Sequence, residues 1–296
     1  MNSGIAVVIN SQAGKNADGD LCSRVRDLFS AHGCTVQVAM PDTPGDMQDA
    51  ITRFLESGCG VLAAGGGDGT ISAAAARLIG GNVRLGVLPL GTLNHFARDL
   101  GLPTDLEGAC AAICHGQAKR VDAGRVNGRI FLNNSGAGLY PSVVRRREWG
   151  ERTGRSRLLA FSAAVLQVLR RYPFLELELD MDGKKMFRRS SFLFVGNNEY
   201  QLEGLSFGTR PNLNSGLLSV VVSNRAGRFG LFRIALAALF HRLPRNRDIE
   251  ILATASVRIR SSKKSLRVSL DGELTRLETP LIYECLPGAL QVMAPA

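Results

Sequence analysis

Short apolar runs alternate with helix-like segments through the first hundred residues, and this alternation limits the possible folds more than any other feature. Each run spans five or six residues and leads into a segment with the spacing or composition of a helix. Continuous apolar strands separated by helices are typical of a parallel sheet that helices cover on both faces. The sequence predicts four such strands, Gly4–Ile9, Cys34–Ala39, Gly60–Ala64 and Val83–Leu88.

The segments between these strands carry helix signals. Asp20–His32 has apolar residues on one face, and Pro44–Ser57 has Thr43 as a predicted N-cap with proline in the first turn. An alanine-rich helix is predicted over Ile71–Ile79. In parallel sheets ligands bind beyond the carboxyl ends of the strands. The turns at 10–16, 40–44, 65–70 and 89–94 are therefore expected at one edge of the sheet.

The pattern changes near Lys119, where strand-like runs are joined by tight turns. Asn127-Gly128 and Asp182-Gly183 are typical of type I′ hairpins, and Asp271-Gly272 is a third hairpin candidate. Helix-like insertions are predicted at Leu158–Arg171 and Gly230–Leu243. The expected architecture is an α/β N-terminal domain over 1–120, Rossmann-like with a parallel sheet, and an all-β, sandwich-like domain with helical insertions over 121–296.

Charge and composition narrow the classes of function. The 296 residues carry a net charge of +10, which draws a protein toward nucleic acid, an anionic membrane or a phosphorylated substrate. An aromatic fraction of 6% disfavours base stacking, so no nucleic-acid partner is expected. The sequence shows no signal peptide, no apolar run of ~18 residues and no paired cysteine motif. These features predict a cytoplasmic protein with reduced thiols.

The strongest motif is the glycine-rich stretch Gly65–Thr70, with the sequence GGGDGT, between a predicted strand and a predicted helix. Glycines let the backbone approach a ligand, and amides at a helix N-terminus favour phosphate. Asp68 is placed to orient phosphates or hold Mg²⁺, and Thr70 to cap the helix or contact a phosphate. The alternative interpretation is a tight strand-to-helix turn with no ligand, and the loop alone does not decide between the two.

Two further segments carry polar groups at predicted turns. Pro89–Ala97, with the sequence PLGTLNHFA, places Thr92 and Asn94 at the same expected sheet edge, although a second capped helix would also explain it. Leu270–Glu273, with the sequence LDGE, is by itself a hairpin turn. Its acidic pair becomes a functional candidate only if the β domain folds over the edge that holds the glycine-rich turn.

In order and spacing, these three segments resemble the diacylglycerol kinase catalytic family, which includes bacterial lipid kinases and sphingosine kinases. The GGDGT sequence alone also occurs in NAD kinases and phosphofructokinases. The resemblance extends over essentially the whole chain, and Asn10–Gly14 looks like the family's first-strand segment NPxSG. It implies a nucleotide site in a cleft between the two domains. It also implies transfer of the γ-phosphoryl group of ATP to a lipid hydroxyl, with Mg²⁺ as cofactor.

The resemblance also implies roles for individual residues. Asp271 would be the general base, with Asp68 as a second catalytic candidate and Glu273 supporting the nucleotide or a metal. The nucleotide site would be lined by the following residues: Asn10, Thr43, Gly66, Gly67, Asp68, Gly69, Thr70, Thr92, Asn94 and Glu273.

Three positions depart from the family pattern. Ser11 replaces the proline of NPxSG, and His95 replaces an aspartate at the edge of the expected cleft. Ser215 stands where the family commonly has an aspartate that supports a structural Mg²⁺ linked to the catalytic base. A neutral hydroxyl binds a hard cation weakly compared with a carboxylate. The resemblance therefore carries over the Mg²⁺ that accompanies the nucleotide but not this structural site.

Arginines flank both predicted helical insertions, at 145–157 and 225–247, which favours peripheral binding to an anionic membrane at its cytoplasmic face. The alternative is that these helices pack on the β domain and their arginines are solvated. Two other functions remain open, an NAD kinase and a non-catalytic nucleotide or lipid sensor. A homodimer is possible, and the sequence does not identify the lipid.

Overall fold

The computed structural model describes residues 4–13, 21–138, 174–200, 202–203, 206–207, 210–223 and 249–295. Both predicted helical insertions, and the arginines that flank them, lie outside these residues. The chain divides into two compact units. The first contains Met1–Ala123 and Leu286–Ala296, and the second contains Gly124–Cys285.

The first unit has the predicted α/β architecture, and its first four strands form a parallel sheet in the order β2-β1-β3-β4. Strand and helix alternate along the chain as the apolar pattern predicts. The elements are β1 Ile5–Ile9, α1 Leu21–Ala31, β2 Val36–Ala39, α2 Pro44–Glu56, β3 Val61–Gly66, α3 Asp68–Leu78, β4 Arg84–Pro89, α4 His95–Asp99 and α5 Leu106–His115.

Helices cover both faces of this sheet. As a result, every residue of β3 and nearly every residue of β1 and β4 is buried. On one face, Phe29 of α1 and Ile113 of α5 pack with Val7 and Ile9 of the first strand. Helices α2 and α3 contact each other and the strands β1 and β3. Burial raises the pKa of the Cys110 thiol on α5 to about 11, so this thiol stays neutral.

The observed N-termini of helices α2 and α3 can be compared with the predicted helix starts. Thr43 is the N-cap of α2, as predicted, since its Oγ1 accepts from the backbone N–H of Asp46 at 3.2 Å. Helix α3 begins at Asp68 with Gly67 as N-cap, three residues before the predicted start. The predicted capping role of Thr70 is therefore wrong, because this residue lies inside the first turn. An aspartate at the first helical position stabilises the early start through the helix dipole.

The second unit is all β in the residues that the structure describes. Its strands are β5 Gln117–Val126 (which begins in the first unit), β6 Arg129–Phe131, β7 Asn134–Gly138, β8 Leu175–Met181, β9 Lys184–Ser190, β10 Phe192–Asn197, β11 Leu202–Glu203, β12 Ser206–Phe207, β13 Leu218–Ser223, β14 Ile249–Thr254, β15 Ser256–Ser261, β16 Ser265–Leu270, β17 Glu273–Glu278 and β18 Leu281–Ala294.

The three predicted hairpins are confirmed. Each dipeptide joins two antiparallel strands, β5 to β6, β8 to β9 and β16 to β17. Both residues of each turn have positive φ, for example 45° at Asp271 and 94° at Gly272. A type I′ turn requires this conformation, and asparagine, aspartate and glycine adopt it most easily.

Two sheets face each other in the second unit and enclose one apolar core, as in a sandwich. One sheet has the order β14-β13-β10-β7-β16-β17, and the other contains β18-β15-β8-β9 with β5 beside β18. The core combines Val195 and Val220 from the first sheet with Leu179 and Ile259 from the second. Burial raises the pKa of Tyr283 within this core, where its hydroxyl lies 2.9 Å from Ser135 Oγ.

Strand β18 belongs to both units. Its first residues pair antiparallel with β15, and Val292 near its end pairs parallel with Leu85 of β4. Met293 is buried in the core of the first unit. The α/β unit is therefore completed by residues that follow the whole β-sandwich in the chain.

No helix in the described part of the chain is long and apolar enough to cross a membrane.

Candidate functional site

The turns that follow the parallel strands lie side by side, as the sequence predicts. The backbone N–H of Asn10 donates to the carbonyl of Gly65 at 2.9 Å, which joins the turns after β1 and β3. The N–H of Ser11 donates to the carbonyl of Pro41 at 3.4 Å, which adds the turn after β2. Strands β3 and β4 pair along their whole length and end together. The glycine-rich turn is thus central in this edge.

Asp68 connects the two motifs of the first unit. Its Oδ2 accepts from the backbone N–H of His95 at 3.2 Å, and its Oδ1 accepts from the N–H of Phe96 at 3.1 Å. These amides begin helix α4, so the carboxylate caps that helix from a different segment of the chain. The residue predicted to act on phosphates also fixes the distance between the glycine-rich turn and the turn after β4.

Asn94 stabilises the turn after β4 through hydrogen bonds to other residues of the same turn. Its backbone is left-handed, with φ of 48°, and its Nδ2 donates to the carbonyls of Pro89 and Gly91 at 3.0 and 2.8 Å. Its Oδ1 accepts from the N–H of Gly91 at 3.0 Å. An asparagine suits this position because it tolerates left-handed backbone and binds nearby peptide groups.

Asn10 and Thr70 are brought together across 60 residues of sequence. Asn10 Nδ2 donates to Thr70 Oγ1 at 3.2 Å, while Asn10 Oδ1 accepts from the N–H of Gln12 at 2.9 Å. Gly69 lies beside Thr70 in the first turn of α3. The contact holds the end of β1 against the start of this helix. Two residues predicted to line one site are therefore direct neighbours.

The two glycine turns approach each other closely. A Cβ placed on Gly91 would lie 2.5 Å from Gly67 Cα and 2.8 Å from Asn94 Oδ1, and a Cβ on Gly66 would lie 2.5 Å from Thr70 Oγ1. Gly67 differs from both, because a Cβ there would have its nearest neighbour at 3.7 Å. Its backbone is extended, with φ of −83°. Among the described residues, no atom would clash with a side chain at position 67.

The two threonines predicted at this site lie at its margin. Thr43 is exposed and uses its hydroxyl to cap α2, where Oγ1 also donates to Asp46 Oδ2 at 2.7 Å. Thr92 is exposed in the turn between β4 and α4. Both side chains are therefore accessible from solvent.

In the second unit, Asp271 binds the backbone of a neighbouring loop. Its Oδ2 accepts from the N–H of Leu132 at 2.7 Å, and its Oδ1 accepts from the N–H groups of Asn133 and Asn134 at 2.8 and 2.9 Å. Its own N–H donates to the carbonyl of Asn134 at 2.9 Å. Three amide donors at one carboxylate stabilise its ionised form and fix its orientation. Glu273 is exposed at the start of β17.

The other side of the loop 132–134 is held by residues that the sequence did not indicate. Arg210 is 2% exposed, and its Nη1 donates to the carbonyl of Leu132. Its Nη2 donates to Asn133 Oδ1 at 2.7 Å, and the Tyr200 hydroxyl donates to the carbonyl of Asn133 at 2.9 Å. A lone arginine in a turn carries no recognisable motif, so only the folded structure reveals this network.

The structure allows a test of the implied metal site at position 215. Ser215 Oγ accepts from Asn198 Nδ2 at 3.2 Å and from the N–H of Leu217 at 3.4 Å. A hydroxyl that already accepts two hydrogen bonds is a poor ligand for Mg²⁺, which prefers carboxylate oxygen. Across the described ranges, no three histidine, cysteine or acidic residues are grouped to hold a metal ion. The residues present do not fit a structural Mg²⁺ at this position.

Together, the α/β unit with its glycine-rich turn and the β-sandwich with its Asp-Gly hairpin define the two-part architecture of the diacylglycerol kinase class. Residues 4–126 match the family model described as the diacylglycerol kinase catalytic domain. Residues 141–294 match the model described as the YegS C-terminal NAD kinase beta sandwich-like domain. Residues 4–126 are thus a diacylglycerol kinase catalytic domain by similarity, and the second match covers more than half of the chain, which therefore belongs to the family of the YegS C-terminal domain.

The chain is also similar to individual relatives over most of its length. The chain is 26% identical to a diacylglycerol kinase of Bacillus subtilis over 275 residues, which covers 90% of this chain and 88% of that protein. It is 29% identical to the uncharacterized protein sll0036 of Synechocystis over 241 residues, 79% of this chain but only 54% of that protein. The crystal structure of a diacylglycerol kinase from Bacillus anthracis has the same fold, with a TM-score of 0.71 at 21% identity, covering 99% and 97% of the two chains.

Proposed function

We propose that this protein is an ATP-dependent lipid kinase that transfers the γ-phosphoryl group of ATP to a hydroxyl of a diacylglycerol-type or sphingoid-type lipid. The relatives named diacylglycerol kinase support the class of acceptor. The edge of the parallel sheet in the first unit supports ATP as the phosphoryl donor, because polar turns between strand ends and helices suit phosphate groups. The acceptor would be met at a membrane surface, where lipids of this kind reside.

Gly67 is the observation that carries the proposal. The position has room for a side chain among the described residues, and its backbone is unstrained, so neither packing against these residues nor conformation explains the glycine. A glycine that the protein does not need points to something outside the protein that comes close to its backbone. A phosphate group at the N-terminus of α3 would do so, since Gly67 is the N-cap of that helix.

The reaction assigns Asp271 a defined task. The lipid hydroxyl attacks the γ-phosphorus, the bond from that phosphorus to the β,γ-bridging oxygen breaks, and ADP leaves. The hydroxyl proton passes to the Asp271 carboxylate as the new phosphorus–oxygen bond forms. Three backbone N–H groups hold that carboxylate in one orientation before the acceptor arrives. The metal enters as part of the substrate, because ATP is carried as its Mg²⁺ complex.

The direct test is incubation of the purified protein with γ-labelled ATP and vesicles that contain a mixed lipid extract. The expected result is a labelled phospholipid whose formation requires ATP, and its identity gives the acceptor. Parallel assays with vesicles that contain or lack anionic lipid show whether the enzyme needs a charged membrane surface. Label in no lipid fraction, despite ATP binding, would contradict the proposal and favour a sensor of nucleotide or lipid.

Substitution of Gly67 distinguishes an effect on folding from an effect on ATP binding. We expect Gly67→Ala to remain folded, with an unfolding temperature at most a few degrees below that of the wild type. Its Cβ would meet no atom of the described residues closer than 3.7 Å, but alanine is a poorer N-cap than glycine. We expect it to bind ATP at least about tenfold more weakly, because the methyl group would occupy the space of a phosphate. Calorimetric titration with ATP measures the second effect. Unchanged ATP affinity in a folded variant would remove Gly67 from the nucleotide site.

An NAD kinase is the second candidate, since the C-terminal match is described as NAD kinase beta sandwich-like. The same labelled ATP, offered with NAD and diacylglycerol side by side, distinguishes the two functions. Label in NADP alone would replace the lipid kinase proposal, whereas label in lipid alone would support it. The diacylglycerol kinase match of residues 4–126 favours the lipid as acceptor.

A further inference from the structure

The loop 132–134 lies between the Asp271 carboxylate and the Arg210 guanidinium. The peptide unit that joins Leu132 to Asn133 places its N–H on Asp271 Oδ1, at 2.8 Å. The oxygen of the same peptide unit accepts from the guanidinium Nη1 of Arg210. One peptide group therefore connects the buried cation to the carboxylate, with its dipole aligned between the two charges.

The next peptide unit repeats the arrangement with neutral donors. The N–H of Asn134 donates to Asp271 Oδ1 at 2.9 Å. The oxygen of the same unit, which belongs to Asn133, accepts from the Tyr200 hydroxyl and from the N–H of Asn197, both at 2.9 Å. Hydrogen bonds in series polarise one another, and the effect is stronger away from water. Each donor on the carbonyl side strengthens the N–H group that faces Asp271.

Arg210 is held firmly in this position. Its side chain is 2% exposed, a second hydrogen bond joins Nη1 to the carbonyl of Asn197 at 3.2 Å, and Nη2 binds Asn133 Oδ1. Its guanidinium carbon lies 5.5 Å from the centre of the Tyr200 ring. The cost of burying an arginine is offset only by such contacts. The fold thus maintains a permanent positive charge directly behind the loop that binds Asp271.

We propose that Arg210 is a positioning residue, which acts through the Leu132–Asn133 peptide unit to keep Asp271 ionised and correctly oriented. This inference rests on the proposed function, in which Asp271 accepts the proton of the lipid hydroxyl. Tyr200 has the same role at the Asn133–Asn134 peptide unit, with smaller effect because its hydroxyl is neutral. Neither side chain is required to contact the substrate.

The test compares pH–rate profiles of the wild type, Arg210→Met and Tyr200→Phe. Without Arg210 the ionised form of Asp271 is less stable, so the acidic limb of kcat should move to higher pH by about one unit. We expect kcat on the acidic limb to fall by up to about tenfold, with the deficit disappearing at pH values above the limb, while KM for ATP changes less than about twofold. Tyr200→Phe should shift the limb in the same direction by less.

Arg188→Met is the matched control. Arg188 also lies in the second unit and binds Glu250 through two hydrogen bonds, of 2.7 and 2.9 Å, which lower the pKa of that carboxyl. Its loss should reduce stability but leave the acidic limb of kcat in place. A limb that stays in place in folded Arg210→Met, or that moves equally in Arg188→Met, would overturn the proposal.

A second readout does not depend on activity. In protein labelled with ¹³C at aspartate carboxyl carbons, Asp271→Asn identifies the Asp271 resonance, and its titration midpoint should rise in Arg210→Met and in Tyr200→Phe. If Arg210→Met does not fold, Tyr200→Phe decides, and an unchanged midpoint there contradicts the proposal. A raised midpoint in a protein that phosphorylates no lipid would support the coupling and reject the lipid kinase function.

Discussion

Asp271→Asn is expected to lower kcat for lipid phosphorylation by ~10²–10⁴-fold while the affinity for ATP stays near that of the wild type. An amide cannot accept the hydroxyl proton, and its NH₂ group would face a backbone N–H that now donates to a carboxylate oxygen. The loop 132–134 should therefore also lose protection against amide hydrogen exchange. Labelled ATP measures the rate, and hydrogen exchange reports the loop.

Asp182→Asn provides a matched control for this change. Asp182 occupies the equivalent position of the β8–β9 hairpin, with positive φ of 51° and a glycine after it, and it is exposed. Asparagine adopts this backbone at least as well as aspartate, so the variant should fold and turn over normally. Turnover by Asp271→Asn within threefold of that of Asp182→Asn would exclude Asp271 as the general base.

Gly91→Ala should produce a large loss of stability in the α/β unit. The new Cβ would lie 2.5 Å from the backbone of Gly67 and 2.8 Å from Asn94 Oδ1, so the two turns would have to separate. Overpacking of this kind costs about 1–3 kcal/mol, and here it should also break the hydrogen bonds that the first amides of α4 donate to Asp68. We expect a lower unfolding temperature and loss of ATP binding, measured by scanning calorimetry and by titration.

Gly45→Ala is the appropriate comparison for Gly91→Ala. Gly45 lies in the first turn of α2, and among the described residues a Cβ there would contact Thr43 Oγ1 alone, at 3.7 Å. Alanine favours the helix, so stability should stay the same or increase slightly. Equal unfolding temperatures for the two variants would show that the close approach of the glycine turns is not rigid.

The strands and helices of the first hundred residues can be predicted from sequence because the patterns that indicate them are local. Runs such as Ile5–Ile9 and Val61–Gly66 are apolar throughout, and burial on both faces of a parallel sheet is the physical reason. The hairpin at Asp271-Gly272 was equally clear, since few residues accept positive φ. The early start of α3 was missed because glycines on both sides of Asp68 look unfavourable for a helix.

The contacts that organise the site were much harder to predict. Asp68 reaches the amide of Phe96 across 28 residues, and Asp271 reaches Asn133 across 138. Such pairings depend on the folded positions of whole strands and leave no periodicity in the chain. The family resemblance named the two aspartates, but neither pattern nor resemblance pointed to Arg210, whose significance lies entirely in what its guanidinium contacts.

The shared strand β18 has a consequence for protein synthesis. A nascent chain can form β1 to β4 and their helices early, yet Val292, which pairs with β4, follows the whole of Gly124–Cys285. Until the ribosome has translated that stretch, the open edge of β4 lacks its partner strand. Maturation of the unit with the glycine-rich turn is thereby tied to completion of the sandwich, so a truncated product would be left with an unprotected sheet that chaperones or proteases can recognise.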